Sequence, residues 1–196
     1  MIYPIIAYGD PVLRVKGKEI TQAYPKLETL LDDMFETMYA SSGIGLAAPQ
    51  IGLPIRLFII DATGFADDEE LDEAQRKQLE GMKKVFINAK IVERDGEPWV
   101  FNEGCLSIPD VREDVFRPET IKIEYYDEQF NKHVEEFDGL AARVIQHEYD
   151  HIEGILFTDK LSALKRRLLK GKLSNISRGR IKVDYKMRFP EAKKIR

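Results

Sequence analysis

Apolar residues recur at helical spacing in two stretches of the chain, and each stretch predicts an amphipathic helix. The first begins after Pro25, repeats leucine and methionine every three or four positions, and is followed by Gly43. The second begins at Asp138, a predicted N-cap, and stops at Gly154. Because apolar residues cover most of its circumference, this second helix is predicted to lie at the centre of the protein.

A third helix is predicted nearer the C-terminus. Thr158 is placed to cap this helix, and Gly171 is its predicted end. Leu161, Leu164 and Leu168 share one face at helical spacing. We therefore expect these three leucines to face the body of the protein.

Stretches rich in β-branched and aromatic residues predict β-strands at 55–61, 85–93, 120–126 and 132–137. The last two flank a short polar segment, which predicts a hairpin. Further on, basic residues alternate with apolar ones over 181–185, and this alternation predicts a short final strand.

Two segments match neither pattern. Residues 43–52 are too rich in Gly and Pro for a regular element and too apolar for an exposed loop. Such a segment indicates backbone that lies close to another group. Residues 63–84 are polar and strongly acidic, which favours a solvated insertion.

The composition is that of an ordinary folded domain. Hydrophobic residues make up 43% and charged residues 33% of the 196 residues, enough for one compact core. The N-terminus lacks the segments of a signal peptide, and no stretch approaches the roughly 18 apolar residues of a membrane span. The single cysteine, Cys105, excludes an internal disulfide and suits a reducing compartment. We therefore expect a cytoplasmic protein without a membrane partner.

Charge is distributed unevenly along the chain. The whole chain carries 30 basic and 34 acidic side chains, a net charge of −4, which argues against a general binder of DNA or another polyanion. Residues 165–196 alone contain 13 basic and 2 acidic residues. This basic tail indicates an anionic partner. The alternative is a solubilising tail that packs loosely on the acidic body.

The residues with the clearest chemistry are 147–151, HEYDH. On a helix, His147 and His151 lie one turn apart on one face and can both reach one metal ion. Glu148 lies about 100° further round the helix, where it can act as a general base and acid. Because both histidines fall on the apolar stripe of a buried helix, a metal is favoured over a structural role. Cys105, in a bent loop, is the natural third ligand, although a lone cysteine is more often a buried apolar side chain.

Three motifs resemble, in order, the signature motifs of the bacterial peptide deformylases: GIGLAAPQ at 43–50, EGCLS at 103–107 and QHEYDH at 146–151. The resemblance spans residues 1–170, the expected catalytic domain, and leaves 171–196 as a basic C-terminal extension. It implies an α+β fold in which antiparallel β-sheets enclose a central helix that carries the HExxH motif.

The resemblance also implies a reaction and a metal. Peptide deformylases are hydrolases that remove the formyl group from the N-terminal formylmethionine of newly made polypeptides and release formate. The metal is expected to be Fe²⁺, held here by Cys105, His147 and His151, with Zn²⁺, Ni²⁺ or Co²⁺ as possible substitutes. Glu148 is then the catalytic base and acid. N-formylmethionyl nascent peptides are the implied partners.

Further roles follow from the same resemblance. The side-chain amide of Gln50 and the backbone N–H of Leu106 are expected to stabilise the developing oxyanion. The backbone edge at Gly45 is expected to pair with the substrate by strand addition. Leu140 and Val144, expected with Ile44 in the pocket for the methionine side chain, fit ordinary core positions equally well. The full set of residues expected to bind the substrate is Ile44, Gly45, Glu103, Arg112, Leu140 and Val144.

Three points stay open at this stage. Arg117 and Asp150 are an expected ion pair that either orients the ligand helix or is a plain structural salt bridge. An HExxH metallopeptidase is an alternative function, although its third ligand usually lies downstream of the motif, whereas Cys105 lies upstream. A non-enzymatic ribosome-binding module is supported only by the basic tail, which also predicts a ribosome contact for the enzyme.

Overall fold

The computed structural model describes residues 1–69 and 71–190. No helix in this part of the chain is long and apolar enough to cross a bilayer. The strands found there are β1 (Ile5–Ile6), β2 (Gly45–Ala47), β3 (Leu57–Asp61), β4 (Lys83–Asp95), β5 (Trp99–Cys105), β6 (Ile108–Arg117), β7 (Thr120–Tyr126), β8 (Lys132–Phe137) and β9 (Met187–Arg188). The α-helices are α1 (Leu27–Ala40), α2 (Glu73–Glu80), α3 (Gly139–Ile152) and α4 (Ala163–Ser177).

A five-stranded antiparallel sheet in the order β2-β3-β4-β7-β8 is the framework of the fold. The strands β5 and β6 form a separate antiparallel hairpin, and β1 pairs in parallel with β9. Because β2 ends the five-stranded sheet, its outer edge is not paired with another strand of the described chain. The predicted α+β fold is confirmed.

The strand β3 shows where the core lies, because it is apolar on both faces. Phe58 and Ile60 belong to a buried cluster shared with α3, whereas Leu57 and Ile59 belong to a second cluster shared with α1. Successive strand residues point to opposite faces of a sheet. The sheet is therefore covered by α3 on one side and by α1 on the other, and the predicted central helix is confirmed.

The helices α1 and α3 lie close to their predicted positions. The helix α1 starts shortly after Pro25 and ends before Gly43. Asp138 occupies the N-cap position of α3, although its side chain makes no capping hydrogen bond. Gly154, just beyond α3, has a φ of 74°, and a Cβ built on it would lie 2.7 Å from the backbone oxygen of Arg14. A side chain at this helix stop would therefore be both strained and blocked.

The predicted start and end of the third helix are wrong. Thr158 lies in a short 3-10 turn, and α4 begins after Ser162, whose hydroxyl accepts a hydrogen bond from the backbone N–H of Lys165. The helix continues through Gly171 to Ser177. Gly171 has no positive φ, and a Cβ built on it would meet nothing within 4 Å, so this glycine is an ordinary position within the helix.

The packed face of α4 also differs from the prediction. Leu169, Leu173 and Ile176 are buried, whereas Leu164 and Leu168 are 67% and 73% exposed. Of the three leucines expected to face the body, only the first is buried. Two apolar stripes with the same helical spacing run along this segment, offset by one residue, and the second one packs on the protein.

The polar segment 63–84 is more ordered than a solvated insertion. It contains α2, whose N-terminus is capped by reciprocal hydrogen bonds between Asp72 and Gln75. Three of its apolar residues are buried in the core cluster shared with α3, namely Ala66, Leu79 and Met82. The segment is therefore anchored to the core by these side chains.

The predicted final strand at 181–185 is also displaced. The strand formed is β9, and it pairs with β1 near the other end of the chain. The backbone N–H of Ile5 donates to the carbonyl oxygen of Lys186 at 2.8 Å. The position of β9 is set by its pairing with β1, which is distant in the sequence. The residues around β9 therefore contain no pattern from which its position could have been predicted.

Candidate active site

An open cavity of about 400 Å³ lies where the outer edge of β2, the β5–β6 turn and α3 meet. All three sequence motifs contribute to its lining. Gly45 and Gln50 come from the first motif, Glu103 and Cys105 from the second, and Glu148 from the third. The fold thus brings segments that are far apart in the sequence to one site.

Three side chains at or just behind this cavity lie close enough together to hold a metal ion. Cys105 is the last residue of β5, and His147 and His151 lie one turn apart on α3. The Cys105 Sγ and one ring nitrogen from each histidine all lie within 4.8 Å of one another. The Sγ is 3.3 Å from Nε2 of His151. The structure therefore brings together the three ligands expected from the sequence.

This donor set fits a divalent transition metal. A thiolate and two imidazoles suit iron, zinc, cobalt or nickel, and three protein ligands leave a position open for water or substrate, as in catalytic sites. His151 is fully buried, and its Nδ1 has no hydrogen-bond partner in the described part of the chain. Burying an imidazole without polar partners costs free energy, and a metal bond at Nε2 would offset this cost.

Glu103 lies at the centre of a buried charge network behind the ligands. Its carboxylate accepts two hydrogen bonds from Arg117, at 2.7 and 2.9 Å, and one from Arg143 at 3.0 Å. A carboxylate oxygen also lies 3.0 Å from Nδ1 of His147. Because Nδ1 is engaged in this way, Nε2 is the His147 nitrogen that remains available to bind a metal ion. Glu103 lines the cavity, but both of its oxygens are occupied by protein groups.

Arg117 links this network to the helix that carries the ligands. Its guanidinium donates to Asp150 at 2.6 Å, and Asp150 also pairs with Lys160 at 3.1 Å. The expected ion pair between Arg117 and Asp150 is therefore present, and both side chains are buried. Burial raises the pKa of Glu103, but hydrogen bonds from Arg117 and His147 outweigh it and hold this pKa well below its usual range.

Glu148 lies at the cavity with one free carboxylate oxygen. The residue is 4% exposed, and within the described chain its Oε2 has no hydrogen-bond partner. Burial raises its pKa to about 7, against the opposing effects of His147 and Arg117. Gly45 leaves room for this group, because a Cβ built there would lie 2.5 Å from Oε1 of Glu148. A buried carboxyl group with a free oxygen is suited to proton transfer.

Gln50 is held in a fixed orientation at the same site. Its Oε1 accepts a hydrogen bond from the backbone N–H of Ala47 at 2.8 Å. Its Nε2 therefore points to the β5–β6 turn, where it lies 3.3 Å from Oγ of Ser107 and 3.5 Å from Sγ of Cys105. Leu106 belongs to that turn and lines the cavity. Both residues expected to provide oxyanion donors are thus at the cavity.

Most of the residues expected to bind the substrate line the cavity, and one of them lies in the core instead. Ile44, Gly45, Arg112 and Val144 line the cavity. Leu140 does not belong to this lining and packs instead against the core cluster shared by α3 and the sheet. Its place is the ordinary core position that the sequence left open as an alternative.

Two residues at the cavity were missed by sequence reasoning. Arg143 donates to Glu103 and also, at 2.6 Å, to the carbonyl oxygen of Trp99. A single arginine within the apolar stretch 140–145 of a helix predicted to be central is a signal that could have found it. The hydroxyl of Tyr185 donates to the carbonyl oxygen of Leu106 at 2.8 Å. Tyr185 ends the alternating pattern at 181–185, but nothing in the sequence marks it as a residue of the site.

The arrangement defines a class of protein before any comparison. A helix with two imidazoles and a carboxyl group faces the Cys105 sulfur of the β5–β6 hairpin across an open cavity, an arrangement typical of metal-dependent hydrolases. Residues 2–167 match the family model described as polypeptide deformylase. The chain belongs to the polypeptide deformylase family, metal-dependent hydrolases that remove the N-terminal formyl group from nascent peptides.

Individual relatives agree with this assignment. The peptide deformylase of Christiangramia forsetii is 67% identical over 196 residues, and that of Flavobacterium johnsoniae is 61% identical, each with 100% of both chains covered. The crystal structure of a peptide deformylase from Legionella pneumophila is 37% identical, with a TM-score of 0.77 over 92% of this chain and 98% of that one. The predicted deformylase function is confirmed, and the metallopeptidase and the non-enzymatic binding module are set aside.

Proposed function

We propose that Cys105, His147 and His151 hold the metal of this deformylase and that Glu148 is its catalytic base and acid. The observation that carries this proposal is the free Glu148 carboxylate oxygen beside three ligand atoms that lie within 4.8 Å of one another. When bound, a divalent cation polarises the formyl oxygen and lowers the pKa of a water beside it. The resemblance to the family favours Fe²⁺, and the same ligands accept Zn²⁺, Ni²⁺ or Co²⁺.

Glu148 accounts for the proton balance of the hydrolysis. Water adds to the formyl carbon, the bond between this carbon and the amide nitrogen breaks, and formate and a free amine leave. Glu148 takes a proton from the attacking water and delivers it to the departing nitrogen. Its Oε2 is available for both steps because no protein group in the described chain bonds to it.

Gln50 and Leu106 stabilise the negative charge that develops on the formyl oxygen. The Gln50 amide is fixed by Ala47, so its Nε2 donors are already aimed at the β5–β6 turn. The backbone N–H of Leu106 is the second donor. Donors held in place beforehand need no reorganisation when the charge forms.

The substrate backbone pairs with the outer edge of β2 at Gly45, an edge without a neighbouring strand in the described chain. The methionine side chain lies in the apolar part of the cavity, against Ile44 and Val144. Arg112 lies at the rim of the same cleft. Leu140 supports the pocket from the core, and Glu103 acts on the substrate only through His147.

The enzyme works in the cytoplasm, in contact with the ribosome that supplies its substrates. This part of the proposal is supported by the basic residues 165–196 and by exposed cations on α4, among them Arg167, Lys170 and Lys172. Several contacts with RNA phosphates give affinity that falls with added salt. The division between a catalytic domain, 1–170, and a basic extension, 171–196, stays a prediction.

Replacing Glu148 by alanine tests the central role. We expect formate release from an N-formylmethionyl peptide to fall by roughly 100-fold or more, because general acid and base catalysis is lost, while the bound metal is retained. Glu136→Ala, at an exposed position of β8, is the matched control and should keep its activity. Full activity in Glu148→Ala, or loss of activity in step with loss of metal, would contradict the assigned role.

A further inference from the structure

A tyrosine outside the family match reaches the active site. Tyr185 lies beyond residues 2–167, the part of the chain that matches the deformylase family model. Its ring lines the catalytic cavity, and its hydroxyl donates to the carbonyl oxygen of Leu106 at 2.8 Å. Leu106 is the residue whose backbone N–H is proposed to meet the oxyanion. The C-terminal segment thus directly contacts the β5–β6 turn at residues 106–107, the catalytic turn of the proposed mechanism.

The chain on the C-terminal side of Tyr185 is anchored to the body, so the tyrosine is not on a free tail. The backbone N–H groups of Ile5 and Ala7 donate to the carbonyl oxygens of Lys186 and Arg188, at 2.8 and 2.9 Å. The ring of Tyr185 also packs against the core cluster shared by α1 and the sheet. These contacts hold the hydroxyl in one place relative to the β5–β6 turn.

The catalytic turn is attached to the rest of the protein at two successive carbonyl groups. Tyr185 binds the carbonyl oxygen of Leu106, and the backbone N–H of Tyr8 donates to the carbonyl oxygen of Ser107 at 2.8 Å. Within Leu106, only the φ and ψ angles decide how its N–H is oriented relative to its carbonyl group. Fixing the carbonyl therefore limits the directions in which the N–H can point.

We propose that Tyr185 is a positioning residue for deformylation: its hydroxyl fixes the backbone of Leu106 so that the Leu106 N–H is aimed at the developing oxyanion. This inference rests on the role proposed for Leu106. In this role Tyr185 acts through the β5–β6 turn, by the hydrogen bond from its hydroxyl to the carbonyl oxygen of Leu106. Its contribution is felt in the transition state, when charge appears on the formyl oxygen.

Tyr185→Phe tests the inference, because it removes the hydroxyl and keeps the ring. We expect kcat to fall about fivefold to tenfold, the scale of one hydrogen bond expressed in the transition state, with KM within about twofold of the parent value. Bound metal should not change. The matched control is Tyr125→Phe, which removes a hydroxyl bonded to Glu135 at 2.6 Å and does not line the catalytic cavity. Its kcat should stay at the parent value even where its thermal stability falls.

Four outcomes would count against the inference. An unchanged kcat in Tyr185→Phe would overturn it. A fall in kcat that follows a loss of metal would show a merely structural role and overturn the inference. The same holds if Tyr125→Phe loses as much thermal stability as Tyr185→Phe and shows the same fall in kcat. Absence of formate release from the parent protein would remove the proposed function itself, and this inference with it.

Discussion

Gly45 lies directly beside the Glu148 carboxylate, and the space left by its missing side chain is occupied by that carboxylate. A Cβ at this position would lie 2.5 Å from Oε1 and 2.7 Å from Cγ of Glu148. Gly45 does not have a positive φ, so backbone freedom does not explain the glycine. The sequence suggested a role for Gly45 in pairing with the substrate, and the structure adds a steric reason: a side chain at this position would collide with Glu148.

The first prediction concerns this contact. Gly45→Ala should lower kcat/KM by roughly 100-fold, because the methyl group forces the Glu148 carboxylate out of position by about an ångström. The metal content should stay the same. Formate release by Gly64→Ala is the control, since a Cβ at Gly64 meets nothing within 4 Å. Equal activity of the two variants would show that Glu148 tolerates the displacement.

Single residues also show what the sequence could and could not predict about the site. His147, Glu148 and His151 could be placed because their spacing on one helix fixes their relative geometry. The partners of Glu103 could not, because Arg117 and Arg143 reach it from β6 and α3. Such pairings depend on tertiary contacts between elements, about which sequence spacing carries no information.

Among the elements, α3 has the most consequential position, and an ion-pair cluster fixes its C-terminal end. Glu153 is the C-cap residue of α3 and pairs with Arg56 at 2.7 Å and Lys16 at 2.9 Å. The backbone N–H of Gly17 donates to the carbonyl oxygen of Ile152 at 2.8 Å. Burial raises the pKa of Glu153, but the hydrogen bonds from Lys16 and Arg56 prevail and lower it.

The second prediction follows from this lowered pKa. Glu153→Gln should reduce the free energy of unfolding by about 1 kcal/mol at pH 7, because it leaves the nearly buried Arg56 without its counter-ion. A carboxyl group with a lowered pKa stabilises the fold above its unfolded pKa of about 4.3 and loses this contribution as pH falls through its folded value. The difference between parent and variant should therefore shrink below about pH 4.

Urea unfolding at several pH values measures this difference. Glu136→Gln, on the exposed face of β8, serves as the control and should follow the parent protein throughout. A difference that stays constant between pH 7 and pH 3.5 would mean that the charge of Glu153 is not what stabilises the end of α3.

The errors at the scale of elements have a common physical origin. α1 and α3 have one dominant apolar face, so their positions could be predicted. α4 carries two apolar stripes of equal spacing, and Leu164 and Leu168 were assigned to the core although the offset stripe packs there. The choice between the stripes is made by the surface that receives the helix, which the local sequence does not describe.

For the molecule as a whole, the main feature is the uneven distribution of charge, which is visible both in the sequence and on the surface of the structure. The body is acidic, while residues 165–196 carry 13 basic and 2 acidic residues. Arg167, Lys170 and Lys172 are exposed on α4, beside the two leucines that do not pack. A surface of this kind matches the proposed contact with ribosomal RNA.

The third prediction tests that contact. Replacing Arg167, Lys170 and Lys172 together by alanine should weaken binding to purified ribosomes and flatten the dependence of binding on salt, because fewer phosphate contacts are made. Formate release from a short peptide should be unchanged. The matched control replaces three exposed lysines elsewhere on the molecule: Lys18, Lys77 and Lys122. Equal ribosome binding by both triple variants would contradict a contact through α4.

The closure of the chain could not be predicted from the sequence. The pairing of β1 with β9 joins residues near opposite ends of the chain through two short strands, too short to leave an alternating pattern. That pairing also brings Tyr185 to the catalytic turn. The motifs could therefore predict the fold class and which side chains meet at the site, whereas the contact of the C-terminal segment with the site required the tertiary structure.

The most direct test of the account is formate release from an N-formylmethionyl peptide by protein purified without oxygen, with metal content measured on the same sample. We predict release that stops when a chelator removes the metal and returns with added Fe²⁺. The same peptide without its formyl group should not be cut. Formate release that survives complete removal of the metal, or cleavage of internal peptide bonds by the loaded protein, would contradict a metal-dependent deformylase.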